Sequence, residues 1–142
     1  MASKRISAEL QDRIRRQADN RCGYCQSHQK YVMGKLEIDH LIPRSKGGND
    51  EEDNLWLSCR LCNNAKRDQT HGVDPLTREV MPLFNPRTQA LPDHFRWSDD
   101  GAQIVELMPC GRATVLALQL NNLLAVMVRQ AWVVAGWHPP TG

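Results

Sequence analysis

The apolar positions of this chain change period along its length. After Ser7, Leu10, Ile14 and Ala18 recur at helical spacing, with Arg13, Arg15 and Arg16 between them, which predicts a helix over residues 8–18 with Ser7 as its N-cap. Residues 36–41, Leu-Glu-Ile-Asp-His-Leu, alternate as a strand that stops at Pro43, and the turn-prone loop Arg44-Ser45-Lys46-Gly47-Gly48-Asn49-Asp50 follows. A second apolar run, Leu55-Trp56-Leu57, is expected to pack under whatever the loop carries. A short helix is predicted from about Asn63 to Gln69. Strand, loop, strand and helix make a ββα unit.

The last stretch has its own pattern. Residues 74–77 and 83–87 read as extended, turn-rich chain. His94–Trp97 and Gln103–Leu107 flank Asp99-Asp100-Gly101 as a hairpin. From Gly111 to Gly136 the period is helical, divided at Asn121-Asn122 and stopped by Gly136 ahead of Pro139-Pro140. Leu116, Leu120, Leu123, Leu124, Met127, Ala131 and Trp132 recur at helical spacing, and core packing is the default for such a stripe, over the ββα unit or a partner. The expected organisation is an N-terminal helix in residues 1–21, a central unit in 22–72, and a hairpin-plus-helix extension in 73–142 packed on that unit.

A length of 142 residues suits one domain, and 24% charged with 41% hydrophobic residues excludes wholesale disorder. The formal charge is +2 but unevenly spread: residues 1–72 hold 13 basic and 10 acidic side chains, residues 73–142 hold 5 and 6. A polyanionic partner should therefore meet the first half. The opening residues lack an apolar core, and the apolar stretch 113–135 is broken by Gln119, Asn121, Asn122, Arg129 and Gln130. Neither a signal peptide nor a membrane span is predicted, and the expected location is cytoplasmic.

Cysteine spacing sharpens the picture. Cys22-Gly23-Tyr24-Cys25 and Cys59-Arg60-Leu61-Cys62 are identically spaced pairs, 33 residues apart. Two such knuckles without an export signal read as a tetrathiolate zinc site rather than disulfides. Four thiolates complete a tetrahedron and leave no open position, so the ion is structural. Cys110 reads as a plain thiol.

Asp39-His40-Leu41-Ile42-Pro43-Arg44-Ser45-Lys46-Gly47-Gly48, then Asn54-Leu55, then Cys59-Arg60-Leu61-Cys62-Asn63-Asn64-Ala65-Lys66 resembles the HNH endonuclease motif of the ββα-metal superfamily. The likeness is to the subset whose catalytic unit is bracketed by two CxxC pairs, and it covers Cys22 to Lys66, about a third of the chain. It implies hydrolysis of DNA phosphodiester bonds. That reaction needs a deprotonated water, a sink for charge on the phosphorane, and relief of charge on the leaving oxygen.

His40 is the candidate general base, because a neutral imidazole takes a proton from water near pH 7. Asp39 projects to the opposite side of the strand. The resemblance assigns Asp39, with Asn63, to a catalytic divalent cation, and an all-oxygen pair suits Mg²⁺ or Mn²⁺. Asn63 stands where many members have histidine. Asn54 is carried over as a clamp on the loop that holds His40. Arg44, Lys46, Lys66 and Arg67 are the candidate DNA phosphate contacts. The segments around Asn85-Pro86-Arg87, Phe95-Arg96-Trp97, Gly111-Arg112 and Trp137-His138-Pro139 resemble the tail that accompanies this core in many small bacterial proteins.

Other features have plainer readings. His28, beside the first knuckle, reads as a loop histidine, and His71, His94 and His138 as structural. Asp50 to Asp53 reads as a solvated turn, since consecutive carboxylates on a polar loop rarely converge. The expectation is an α+β, zinc-stapled ββα-metal protein that cleaves DNA. Two other classes compete: a zinc-organised nucleic-acid-binding module without catalysis, and a zinc-stabilised adaptor that binds a protein through its C-terminal helices.

Overall fold

The computed structural model describes residues 6–140, in two compact units. Positions 1–5 of the N-terminal segment and 141–142 of the extension lie outside the described residues. The first unit ends at Thr70 and also includes Asn85–Arg87; the second comprises His71–Phe84 and the chain from Thr88 onward. The class is α+β, with helices and three separate two-stranded antiparallel ribbons.

In the first unit, helix α1 (Ala8–Gln17) starts where the Ser7 side chain accepts a hydrogen bond from Leu10 N, relieving one unpaired amide of the first turn. Strands β1 (Glu37–His40) and β2 (Leu55–Ser58) pair in the register Ile38 to Leu57 and His40 to Leu55. Because side chains alternate along a strand, the ribbon has two unlike faces. Leu55 and Leu57 are buried with Ile14 and Leu36, and Leu10, Ala18, Val32 and Ile38 pack around them. Glu37, Asp39 and Ser58 point the other way, toward helix α2 (Arg60–Lys66) and the cysteines. This helix begins earlier than the pattern predicted, because Cys59 caps it by accepting from Cys62 N. It ends at Arg67, whose φ of 53° leaves the helical region.

Arg87 belongs to this unit. Its guanidinium donates to the Leu55 carbonyl through Nε (3.2 Å) and Nη2 (3.0 Å), reaches Gln17 Oε1 at 2.9 Å, and lies 4.9 Å from the Trp56 ring centre. A planar cation can satisfy backbone oxygen and aromatic face together.

The second unit contains the ribbon of β3 (His71–Val73) and β4 (Val80–Pro82), the short helix α3 (Leu91–His94), the hairpin of β5 (Phe95–Trp97) and β6 (Ile104–Glu106), and helices α4 (Pro109–Leu118) and α5 (Leu123–Ala135). Phe84, Phe95, Ile104, Ala113, Leu118 and Leu120 form much of its buried apolar content. Asp74 is fully buried and takes a two-pronged ion pair from Arg112 at 2.8 and 2.9 Å. That pair and the bond from Thr77 hold the carboxyl well below its ordinary value. The two asparagines that divide the helical pattern have separate tasks. Asn122 caps α5 by accepting from Ala125 N, while Asn121 bonds both the N–H and the carbonyl of Ile104, as a neighbouring strand would.

The expected apolar stripe is corrected here. Leu123 is 76% exposed and Leu116, Leu124 and Met127 are also exposed, so these residues are not core. Helix α5 instead turns Arg129 inward, where it donates to the carbonyls of Ala102 and Leu120. Among the described residues, no single helix is long and apolar enough to cross a membrane.

Candidate active site and zinc centre

The two knuckles bring Cys22, Cys25, Cys59 and Cys62 together, with all four sulfurs within 4.8 Å of one another and every cysteine free. Cys25 Sγ lies 3.6 Å from Cys59 Sγ. A tetrahedron with zinc–sulfur bonds of about 2.3 Å has edges of about 3.8 Å, so the cluster has the size zinc requires. Backbone amides already point at the sulfurs: Tyr24 N donates to Cys22 Sγ at 3.5 Å and Cys62 N to Cys59 Sγ at 3.4 Å. Without a countercharge the sulfurs cannot all ionise. Thiol donation from Cys22, Cys59 and Cys62 pulls Cys25 down, while its neighbours push Cys59 and Cys62 up. A divalent cation would hold all four as thiolates, and the residues present fit zinc.

Beside the cluster, on the same ribbon face, lies a closed polar triad. Asp39 is 4% exposed; its Oδ2 accepts from the Tyr24 hydroxyl at 3.0 Å and its Oδ1 from Lys66 Nζ at 3.2 Å. Lys66 is 2% exposed, and its Nζ also donates to the His40 carbonyl at 2.9 Å. Burial raises the Asp39 carboxyl, against the opposing pull of Lys66 and Tyr24. Burial also raises the Tyr24 hydroxyl well above its ordinary value, so it remains a donor.

These contacts correct two assignments. Lys66 is not a phosphate contact: three residues after Asn63, it is carried under the helix onto Asp39 instead of out to solvent. Asp39 does not form an open oxygen pair with Asn63 either. Both of its oxygens are occupied by Tyr24 and Lys66, whereas the Asn63 amide donates to Glu37 Oε1 at 2.9 Å.

His40 ends the opposite face of β1. It is partly buried, and its Nε2 lies 2.7 Å from Asp50 Oδ1. The same oxygen accepts from Arg44 Nε at 3.0 Å and Nη2 at 2.8 Å. The bonds from His40 and then Arg44 hold the Asp50 carboxyl below its ordinary value. Asn54 fixes the loop between them: Oδ1 accepts from Ile42 N at 2.9 Å, and Nδ2 donates to the carbonyls of Ile42 (2.9 Å) and Asn49 (2.8 Å). Gly48 sits so close to the Ile42 carbonyl that a Cβ would collide with it, and Gly47, at φ 89°, closes the Arg44–Lys46 turn. Arg44, Lys46 and Arg67 are exposed.

Asp50 is the residue that pattern reading missed. The sequence pattern makes it part of a solvated turn, yet the loop returns it to the histidine. Glu52, from the same acidic run, pairs with Arg13 at 2.8 Å and accepts from Gln17 at 2.8 Å. The nearby signal was the loop clamp itself, since an asparagine that binds both Ile42 and Asn49 must fold residues 43–49 back on the strand end.

A two-stranded ribbon running into a helix, with four sulfurs gathered beside it and a histidine at the strand end, makes a ββα unit with a four-cysteine cluster. Residues 22–69, about a third of the chain, match the HNH endonuclease family model, which suggests a nuclease-type function. Among curated proteins, none matches the chain.

Proposed function

We propose that the protein is an endonuclease that hydrolyses DNA phosphodiester bonds with His40 as general base, in the cytoplasm, where free thiols persist to bind zinc. The observation that carries this reading is the placement of His40. Its imidazole is partly exposed at the end of a strand, with Nε2 engaged by Asp50 and no hydrogen bond to Nδ1 among the described residues. A water between Nδ1 and a phosphate would lose its proton to the ring as its oxygen attacks phosphorus. The bond to the 3′ oxygen then breaks, and that oxygen takes a proton from solvent. Positioned general-base help is worth about 10²- to 10⁴-fold.

The family match supports dependence on a divalent cation, Mg²⁺ or Mn²⁺, which would neutralise the phosphate and the departing oxygen. The Asp39 and Asn63 side chains, engaged by Tyr24, Lys66 and Glu37, do not fit a hydrated cation as they stand. Exposed Arg44, Lys46 and Arg67 supply positive charge near the site for phosphate contacts, which fix position rather than sequence.

The test is nicking of supercoiled plasmid by zinc-loaded protein in Mg²⁺, Mn²⁺, Ni²⁺ or EDTA. Conversion to open circles with Mg²⁺ or Mn²⁺ and none in EDTA is expected. One observation favours a second reading: the closed Asp39–Lys66 pair suits a zinc-organised DNA-binding module without catalysis. That module would bind DNA with a steep salt dependence and leave the plasmid intact with every metal.

A further inference from the structure

Resting on the general-base reading of His40, we propose that Asp50, braced by Arg44, is the positioning residue that fixes which nitrogen of His40 is basic. An ionised carboxylate only accepts hydrogen bonds. The 2.7 Å contact from His40 Nε2 to Asp50 Oδ1 therefore requires the proton on Nε2, which leaves the lone pair on Nδ1. Arg44 donates to the same carboxylate oxygen through Nε and Nη2 and keeps it charged and in place. When Nδ1 takes a proton from water, the ring becomes an imidazolium whose Nε2–H already points at a negative charge. The carboxylate thus selects the reactive tautomer and stabilises the cation that forms.

The loop is built to hold this arrangement. His40 lies on β1 and Asp50 ten residues later, and the chain between them is tied down by Asn54 at Ile42 and Asn49. The next residues are anchored too, since Glu52 is held by Arg13 and Gln17. Of the acidic run Asp50-Glu51-Glu52-Asp53, Asp50 alone is bonded to the imidazole among the described residues.

The test has two arms. In ¹⁵N-labelled zinc-loaded wild type above pH 8, long-range ¹H–¹⁵N correlation is expected to show His40 protonated on Nε2, and Asp50→Asn is expected to lose that uniform state. In single-turnover plasmid nicking, Asp50→Asn is expected to lower the rate about 10²- to 10⁴-fold with DNA binding unchanged. Asp50→Glu, which keeps the carboxylate, should restore part of the rate. Zinc content and the amide spectrum certify that each variant is folded. A wild-type His40 protonated on Nδ1, or an Asp50→Asn rate within threefold of wild type, overturns the assignment. If the wild type does not nick DNA, the nuclease reading falls, and the tautomer arm still decides Asp50 by itself.

Discussion

The two units solve the same problem, holding short elements together, with different chemistry. In the first, the apolar core is small, centred on Ile14, Leu36, Leu55 and Leu57, and much of the remaining interior is sulfur, a Tyr–Asp–Lys triad and an asparagine clamp. In the second, aromatic and aliphatic side chains pack conventionally around one buried ion pair, Asp74–Arg112, and a large apolar helix face stays in solvent. The difference teaches that the first unit depends on groups that titrate and bind metal. Its polar interior leaves the end of β1 free to present His40, and its stability should respond to chelators, where the second unit's should respond to acid.

Metal removal should separate the units most. Structural zinc contributes about 10–16 kcal/mol of apparent binding energy in small finger peptides. Chelation, or Cys59→Ser, is expected to abolish the first unit's cooperative transition, followed through Trp56, the only tryptophan in that unit. A Trp56 signal that melts as before in excess chelator would contradict the scaffold role.

Next is the triad. Lys66→Met leaves Asp39 buried without its cation, and breaking one side of a buried pair costs about 3–5 kcal/mol. Urea denaturation should show that loss, with partial recovery on adding Asp39→Asn. A change under about 1 kcal/mol would mean the pair is open to water.

Acid should act on the second unit. The Asp74 carboxyl is held below its ordinary value of 3.8 by Arg112, so the stability it contributes is present above that value and is lost as pH falls below it. Thermal melts followed through Trp97 and Trp132 should decline as pH drops below about 4, and Asp74→Asn should flatten that decline. Equal acid sensitivity in both proteins would assign the loss elsewhere. The smallest effect belongs to the exposed face of α5: Leu123→Lys and Val134→Lys, at positions 76% and 90% exposed, should shift stability by no more than about 0.5 kcal/mol.

What the sequence disclosed was local. The Ser7 cap, the β5–β6 hairpin, the break at Asn121-Asn122 and the paired knuckles are each written within a few residues, where spacing alone dictates geometry. The features it hid depend on distant partners. Asp50 meets His40 only because Asn54 folds the loop back. Lys66 is buried because helix α2 lies along β1, which no charge count reveals. Arg112 finds Asp74 across 38 positions, and Arg87 joins the first unit from beyond its apparent end. The ribbon β3–β4 went unread, with extended chain expected only at 74–77 and 83–87, since the three-residue strands His71–Val73 and Val80–Pro82 are too short to show alternation. Helix α5 misled for the opposite reason: its apolar period is clear, but the buried side is set by Arg129.

The most direct test compares wild type with His40→Ala as matched zinc-loaded proteins, measuring DNA affinity and plasmid nicking side by side in Mg²⁺ and Mn²⁺. The account predicts unchanged affinity and a loss of nicking of about 10²-fold or more. Nicking by His40→Ala at the wild-type rate would contradict it.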